Sequence, residues 1–481
     1  MSKIKGLAGE TVLYGLGTIL PRMINFFLIL PQTAAFAPEE FGIITDLYAW
    51  VAFLNVVYTF GMETAYFRFA SKPGADSNQV FRTAQTAVLT ISLLLSTLAI
   101  LFSAPIAAAF DIAGKGNYII WLALIMAIDA SVAIPFARLR LQKQALKFSV
   151  AKIINVLIVV VFNVYFLEYA YNPAVGVAYV FLINLIANAF YLVYFAKTLL
   201  SWRPAFRRDV FWSMFNYAYP IMITGLAGMT NEMFSRVTLR WWLPENFYGE
   251  GKSAQYALGV FGACYRYAVF MNLAVQAFRF AAEPFFFSNA HDKKSPELFA
   301  RVNHYFIVAC CFFWLAISTN VDVLKYLLRD EAYWEGLGIV PVLLLGYLFL
   351  GVYYNLTVWF KLTDRTYYGT IIALIGAVVT IVLNYFLIPI AGYTGSSWAT
   401  LACYALMTVL CYLIGQRYFP IPYHVLTDML YIALTGVVIY TVGLVAIDSQ
   451  WMATLVHLGV LAVCGVVIFF VERKGLRRAL A

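Results

Sequence analysis

Residues 367–390 read YYGTIIALIGAVVTIVLNYFLIPI and contain no charged side chain. A helix rises about 1.5 Å per residue, so about 20 mostly apolar residues are enough to cross a bilayer. This stretch is therefore predicted to be a transmembrane helix. A second apolar stretch, 395–418, follows it after a short break and is predicted to cross back.

The whole chain is similarly rich in apolar residues and poor in charged ones. Of its 481 residues, 63% are hydrophobic and only 12% are charged. Soluble domains are roughly half apolar and about a quarter charged, so a soluble enzyme is excluded. The net charge of +9 would suggest nucleic acid in a soluble protein, but here the placement of the basic residues in loops matters instead, and no nucleic-acid partner is predicted.

Fourteen apolar stretches long enough to cross a membrane can be marked along the chain. The predicted fold is therefore an all-α polytopic membrane protein with about 14 transmembrane helices. No loop between them is long enough for a folded domain. The predicted spans 1–14 cover roughly 11–36, 41–62, 83–110, 118–136, 150–170, 174–198, 214–242, 254–281, 303–328, 337–361, 367–390, 395–418, 424–446 and 450–471.

Basic residues are concentrated in alternate loops. Most of the 33 lysines and arginines fall on one side of the predicted spans, whereas Lys115, Lys252, Lys325 and Arg329 fall on the other. Cytoplasmic loops collect Lys and Arg, so both termini are predicted to be cytoplasmic.

Short motifs recur at nearly one offset. The sequence Tyr66-Phe-Arg-Phe-Ala ends span 2 and Ala277-Phe-Arg-Phe-Ala ends span 8, while Asn163 in span 5 and Asn384 in span 11 each precede Tyr-Phe-Leu. Two parallel copies of a six-helix unit are predicted, with chance similarity as the alternative. The predicted domains are two pseudo-symmetric lobes, 1–200 with spans 1–6 and 201–420 with spans 7–12, and then 421–481 with two extra spans and a basic cytoplasmic tail.

Four arginines lie inside predicted spans. Arg22 and Arg266 are near the middle of spans 1 and 8, and Glu232, Arg236 and Arg240 follow one another at one-turn intervals on span 7. Charges at the bilayer centre cost about 2.5–3.5 kcal/mol on insertion scales, so they must face each other or water. The excess of arginine predicts a cavity for an anion, because a guanidinium binds phosphate with two hydrogen bonds. The alternative for Arg236 and Arg266 is a structural pair with Glu232, and for Arg22 it is a pair with a carboxylate such as Asp46 or Asp129. Arg240 could instead snorkel to the interface.

Two carboxylates within spans, Asp129 and Glu232, are candidates for coupling to an ion gradient, because intramembrane carboxylates often relay protons. The alternative is a structural contact between helices.

Charged residues near the ends of spans 2 and 8 form a second candidate site. Glu63 and Arg68 in the first half resemble Arg279 and Glu283 in the second. They are predicted to form a cytoplasmic gate, with ordinary interface anchoring as the alternative.

The chain carries no pattern of an enzyme. Its four histidines are dispersed, its six cysteines fall in apolar stretches, and it has neither a nucleotide-binding loop nor a Ser-His-Asp arrangement. No catalytic residue, no metal site and no cofactor is predicted.

Four motifs in this order resemble the polysaccharide flippases of the multidrug/oligosaccharidyl-lipid/polysaccharide exporter superfamily, over nearly the whole chain. They are Gly15-Leu-Gly-Thr-Ile-Leu-Pro-Arg22-Met-Ile-Asn25, Pro38-Glu-Glu-Phe-Gly42, Arg68-Phe, and Gly392-Tyr-Thr-Gly395-Ser-Ser-Trp-Ala-Thr400.

The resemblance implies a V-shaped pair of lobes in a bacterial inner membrane, a cationic central cavity and alternating access. It implies that the substrate is an undecaprenyl-diphosphate-linked oligosaccharide, such as a lipopolysaccharide or capsule repeat unit. A proton or sodium gradient or the membrane potential would drive transport, and the predicted partners are membrane lipids, glycosyltransferases and a polysaccharide polymerase around a monomer. The predicted cavity residues are Arg22, Asn25, Arg236, Arg240 and Arg266.

Three alternatives stay open at this point. Peptidoglycan-precursor flippases are similar but carry an Arg-Asp pair deeper in the first span, where this chain has the uncharged Phe26-Phe-Leu-Ile. A drug antiporter of the same superfamily should have an acidic cavity for cations. A membrane glycosyltransferase, polymerase or ligase would need a sizeable outward loop or domain.

Overall fold

The computed structural model describes residues 15, 17–290, 294–445, 447 and 449–480, and the side chains of the last helix as far as Arg473. The described residues form helices and short connections, without any β-strand. The protein is an all-α polytopic membrane protein, as predicted. Within the described ranges ten helices are long and apolar enough to cross a bilayer.

One of these ten helices is two spans joined end to end. The helix Tyr367–Tyr418 contains 52 residues and has a sharp break at Gly392, with φ 55° and ψ −136°. Only glycine adopts this conformation without strain, so the break marks the boundary between spans 11 and 12. Span 7, the shorter span 6 and the described part of span 1 are also helical, so each predicted span corresponds to an observed helix.

The observed helices begin and end close to the predicted positions. Spans 1–7 are 17–26 with Ile29–Ala35, Pro38–Thr59 with Met62–Ala70, Ser77–Leu101, Gly116–Leu141, Ala145–Val164 with a π-turn at Tyr165–Tyr169, Ala178–Tyr194, and Arg208–Trp242. Spans 8–14 are Ala254–Asn289, Ser295–Thr319, Glu331–Ile339 with Val340–Leu356, the two halves of Tyr367–Tyr418, Val425–Leu444 and Gln450–Leu480. Short helices at Ser103–Ala109, Ala196–Leu200, Val321–Leu324, Lys325–Leu327 and Val358–Leu362 lie between or next to the spans.

The predicted connection between spans 8 and 9 is wrong. The segment 281–302 was predicted to be a polar loop, but span 8 continues as a helix to Asn289 and span 9 begins at Ser295. The helix extends beyond its apolar part because Glu283 pairs with side chains around it and Phe286 packs edge-on against Phe299, with ring centroids 5.0 Å apart. Span 5 begins earlier than predicted, at Ala145, so Lys152 lies well inside the helix.

The chain divides by its internal contacts into two units, residues 1–259 and 260–481, with the division inside span 8. In the first unit, span 7 packs against both helices of span 2. The lobe boundaries predicted from the repeats, near 200 and 420, stay a prediction.

Each unit has its own apolar core. In the first unit the core lies between spans 2, 3, 4 and the first half of span 7, and it includes Tyr58, Tyr66 and Met126. A smaller cluster in the second unit joins the ends of spans 8 and 9 to Val358 and Ile421.

A close helix crossing in the first unit depends on glycine. A Cβ at Gly42, on span 2, would collide with the backbone oxygen of Gln255 at the start of span 8, and a Cβ at Gly259 would collide with that of Pro38. Small residues allow two helix backbones to approach this closely within a membrane.

Candidate functional site

Three of the predicted site residues come together in the first unit. Glu232 and Arg236 lie one turn apart on span 7, and the Glu232 carboxylate interacts electrostatically with Arg236 and more weakly with Arg22 of span 1. We call Arg22, Glu232 and Arg236 the arginine cluster. Because it contains two guanidinium groups and one carboxylate, its net charge is positive.

The span 1 side of the cluster is accessible. Arg22 and Asn25 lie three residues apart, on one face of the helix 17–26, and both side chains are exposed. An arginine near the middle of a span is costly where it faces lipid, so we expect this face to border a water-filled space.

The span 7 side of the cluster is more enclosed. Glu232 and Arg236 are half-buried, and the Arg236 Nη1 atom lies 2.8 Å from the Met233 sulfur. Asn231 and Ser235, which directly precede Glu232 and Arg236, are buried. The guanidinium and carboxylate are therefore held on a helix that is packed along the neighbouring face.

Arg266 belongs to the second unit. It is half-buried on span 8 between the buried residues Tyr265 and Tyr267. Arg266 interacts with other residues of the structure. Its role in substrate binding stays a prediction.

The structure places Arg240 in a different cluster. Its Nε atom lies 2.9 Å from the Asp46 carboxylate on span 2, and both side chains are only 3% exposed. Its Nη1 atom donates hydrogen bonds of 3.0 Å to the Ala109 carbonyl and to the Asp111 carboxylate, and the guanidinium stacks over Phe110. Arg240 therefore joins span 7 to span 2 and to the segment after span 3.

Asp129 interacts electrostatically with Lys152 of span 5. The Lys152 ammonium also lies over the rings of Phe136 and Tyr191, at 4.3 and 5.0 Å from their centroids. A lysine and a carboxylate that compensate each other between helices fit the structural alternative for Asp129.

Three of the four predicted gate residues form ion pairs inside their own units, and the fourth, Arg68, makes a cation–π contact. Glu63 pairs with Arg140 of span 4, and Arg68 lies 4.2 Å from the ring centroid of Tyr217. In the second unit, Glu283 lies 2.6 Å from Lys361 and 3.1 Å from Arg279.

These pairs repeat between the two halves of the chain. Glu63 and Glu283 are separated by almost the same number of residues as Arg140 and Lys361. In each unit the carboxylate on the second helix of the repeat pairs with a cation at the end of the fourth. Asn163 and Asn384, at the same offset, are both fully buried and donate a 2.8 Å hydrogen bond to the carbonyl four residues earlier.

Charge reversal tests this equivalence. Glu63→Arg should lower the melting temperature of the purified protein, because like charges then meet at Arg140, and adding Arg140→Glu should restore it. The expected loss is small, about 1 kcal/mol, because both side chains are more than a third exposed. In the second unit, Glu283→Lys should rescue Lys361→Glu only in part, because the new lysine also lies beside Arg279. Single variants whose effects simply add in either pair would contradict the pairing.

Sequence reasoning did not identify Arg140, Lys152 and Lys361 as the partners of these carboxylates. It also missed a polar cluster around His304. The repeat offset could have found two of them, because it relates Arg140 to Lys361 as it relates Glu63 to Glu283. Among the residues that the structure describes, no three His, Cys, Asp or Glu side chains are placed to hold a metal ion.

A family model described as "Polysaccharide biosynthesis protein" matches residues 36–279, just over half of the chain. No curated protein matches the sequence. The match covers spans 2–7 and most of span 8, and so includes Glu232 and Arg236.

Several solved structures share the fold at low sequence identity. One is titled "Lipid II flippase MurJ, inward closed conformation"; it is 13% identical, has a TM-score of 0.73, and the match covers 95% of this chain and 99% of that one. Another, an inward-facing multidrug resistance MATE family transporter of the MOP superfamily, is 11% identical with a TM-score of 0.65, covering 85% and 97%. A MATE structure in the bent conformation is 10% identical with a TM-score of 0.59, covering 89% and 96%. The predicted fold is confirmed.

Proposed function

The chain belongs to the family of polysaccharide biosynthesis proteins, and from this premise we propose that it is a flippase for a lipid-diphosphate-linked oligosaccharide. The proposed substrate is an undecaprenyl-diphosphate carrying a repeat unit of a surface polysaccharide. The proposed direction is from the cytoplasmic to the outer leaflet of a bacterial inner membrane, with both termini in the cytoplasm because the basic loops lie there.

The observation that carries the proposal is the positive arginine cluster within the membrane. The sugars of a repeat unit are mostly hydrogen-bonding groups, whereas the diphosphate carries negative charge that loses its water in the bilayer. Guanidinium groups replace that water with charge-assisted hydrogen bonds. A binding site for cationic drugs would need the opposite sign.

Glu232 gives the cluster an internal counter-ion. When no substrate is bound, its carboxylate compensates Arg236 and Arg22. An entering diphosphate competes with Glu232 for the same guanidinium groups, so the positive site is stabilised both with and without substrate. Arg240, whose charge is already compensated by two carboxylates, is not part of the proposed site.

We propose that the membrane potential drives the outward movement of the substrate. A diphosphate carries about two negative charges, and each charge that crosses a potential of about 100 mV gains or loses about 2.3 kcal/mol. A cytoplasm-negative potential therefore favours outward movement of the anion.

Transport in vesicles tests the proposal. The purified protein is reconstituted with a lipid-diphosphate-linked oligosaccharide in one leaflet, and an impermeant lectin reports its arrival in the other. We expect arrival that depends on the protein. No arrival of any lipid-linked sugar, with exchange of a soluble cation instead, would contradict the proposal, and transport only of a lipid-linked muropeptide would favour a peptidoglycan-precursor flippase.

A further inference from the structure

The last two helices bury very few side chains. In span 13 the buried residues are Asp428 and Ile432, and in the described part of span 14 they are Ala453 and His457. Helices in lipid are not driven together by the hydrophobic effect, because lipid tails are as apolar as the side chains. The polar contacts of these helices are therefore important for how they attach to the rest of the second unit.

The main polar contact is centred on His304 of span 9. Its Nδ1 atom lies 2.5 Å from Asp428 Oδ1 on span 13, and its Nε2 atom lies 3.4 Å from Glu472 Oε1 on span 14. The Tyr431 hydroxyl donates a 2.7 Å hydrogen bond to the same Glu472 oxygen. The side chains of His304, Asp428 and Glu472 are 10%, 4% and 13% exposed.

A count of protons shows what this geometry requires. An ionised carboxylate only accepts hydrogen bonds, so each ring nitrogen of His304 needs a hydrogen to face one. A neutral imidazole carries one such hydrogen and the imidazolium carries two. The arrangement therefore contains one proton more than a neutral His304 with two ionised carboxylates would contain.

Within the described part of the chain, three aromatic rings lie near this ring. The His424 ring lies 5.6 Å from it and the rings of Tyr305 and Tyr431 lie 5.5 and 5.8 Å away. Cys311 lies near Asp428, and Arg301 interacts with Tyr305. Among the residues that the structure describes, the ion pairs of the His304 ring are those with Asp428 and Glu472, so the two carboxylates are its direct partners.

We propose that His304, with Asp428 and Glu472, is a proton-binding site and that the bound proton holds spans 13 and 14 against span 9. When the proton leaves, one ring nitrogen turns its lone pair toward a carboxylate and the buried cluster changes from one net negative charge to two. Both changes weaken the contact of the last two helices with span 9.

His457 provides a matched control. It also lies on span 14 and is buried, but its Nδ1 atom lies 3.4 Å from a single carboxylate, that of Asp322. One ring N–H is enough for that contact, so a neutral His457 suffices.

Nitrogen NMR of histidine measures the proton directly. The full-length protein is labelled with ¹⁵N-histidine and reconstituted in membranes at neutral pH, and the signals are assigned with His304→Gln, His424→Gln and His457→Gln. We expect an imidazolium signature for His304 and a neutral one for His457. In Asp428→Asn, which no longer demands a second proton, His304 should become neutral. A neutral His304 in the wild type, or an imidazolium that persists in Asp428→Asn, would overturn the proposal.

Thiol labelling measures the attachment. Cys311 is buried beside Asp428, and a membrane-permeant maleimide should modify it roughly tenfold faster in His304→Gln and Asp428→Asn than in wild type or His457→Gln, all at one pH. Equal rates in all four proteins would show that the proton does not hold these helices. If His304→Gln does not fold, His291→Gln, His424→Gln and His457→Gln assign the other three histidine signals, and the remaining wild-type signal is that of His304.

Discussion

Arg236→Ala should reduce translocation of a lipid-diphosphate-linked oligosaccharide by roughly 10- to 100-fold while the protein stays folded in the membrane. The variant removes a charge-assisted hydrogen-bond donor, worth about 1.5–3 kcal/mol, and leaves Glu232 with Arg22 as its remaining compensating charge in the cluster. The cluster then has no net positive charge. The measurement is the initial rate of lectin-accessible product in reconstituted vesicles.

Further variants at position 236, with a control at Arg82, separate the effect of the charge from that of the hydrogen-bond geometry. Arg236→Lys keeps the charge but loses the two-pronged geometry, so part of the rate should return. Arg82→Ala removes an exposed arginine outside the cluster and should transport like wild type. If Arg236→Glu transports normally, the anion site is not at this cluster.

Arg240→Ala should have the largest effect on stability. It leaves Asp46, 3% exposed, without the guanidinium beside it, and loss of one partner from a buried ion pair costs about 3–5 kcal/mol. The expected result is a markedly lower melting temperature in detergent and less folded protein in the membrane.

Two further variants test whether burial of the Arg240–Asp46 pair is the reason for this loss of stability. Asp111 contacts the same guanidinium but is 73% exposed, so Asp111→Asn, which also keeps a residue type that tolerates the positive φ there, should cost about 1 kcal/mol or less. Arg240→Met combined with Asp46→Leu removes both buried charges and should recover most of the loss. Equal losses for Asp46→Asn and Asp111→Asn would contradict the account.

The membrane plan could be predicted from the sequence because it depends on segment length and apolarity alone. The break between spans 11 and 12 was predicted from the gap between the apolar stretches 367–390 and 395–418, and the structure places the break in that gap, at Gly392. The end of span 8 was misplaced, because polar residues such as Glu283 continue the helix when tertiary partners pair with them.

The partners of the charged residues were harder to predict. Spacing on one helix relates Glu232 to Arg236, but it does not say which other helix lies opposite. Asp46 was considered as a partner for Arg22, whereas the structure pairs it with Arg240, and Glu232 interacts with Arg22. These pairings depend on how helices cross, which single-helix periodicity does not contain.

The histidine cluster carried no sequence signal. His304, Asp428 and Glu472 lie on three helices, two of them outside the repeated unit, so neither spacing nor the repeat relates them.

Equilibrium binding of a short-chain prenyl diphosphate to the purified protein tests the central claim most directly. We predict that the wild type binds it, that Arg22→Ala and Arg236→Ala each bind it at least about tenfold more weakly, and that Arg82→Ala binds it normally. The corresponding prenyl alcohol, which lacks phosphate, should not compete. Binding that is unchanged in both cluster variants, or competition by the alcohol at equal strength, would contradict the claim that the arginine cluster recognises the diphosphate.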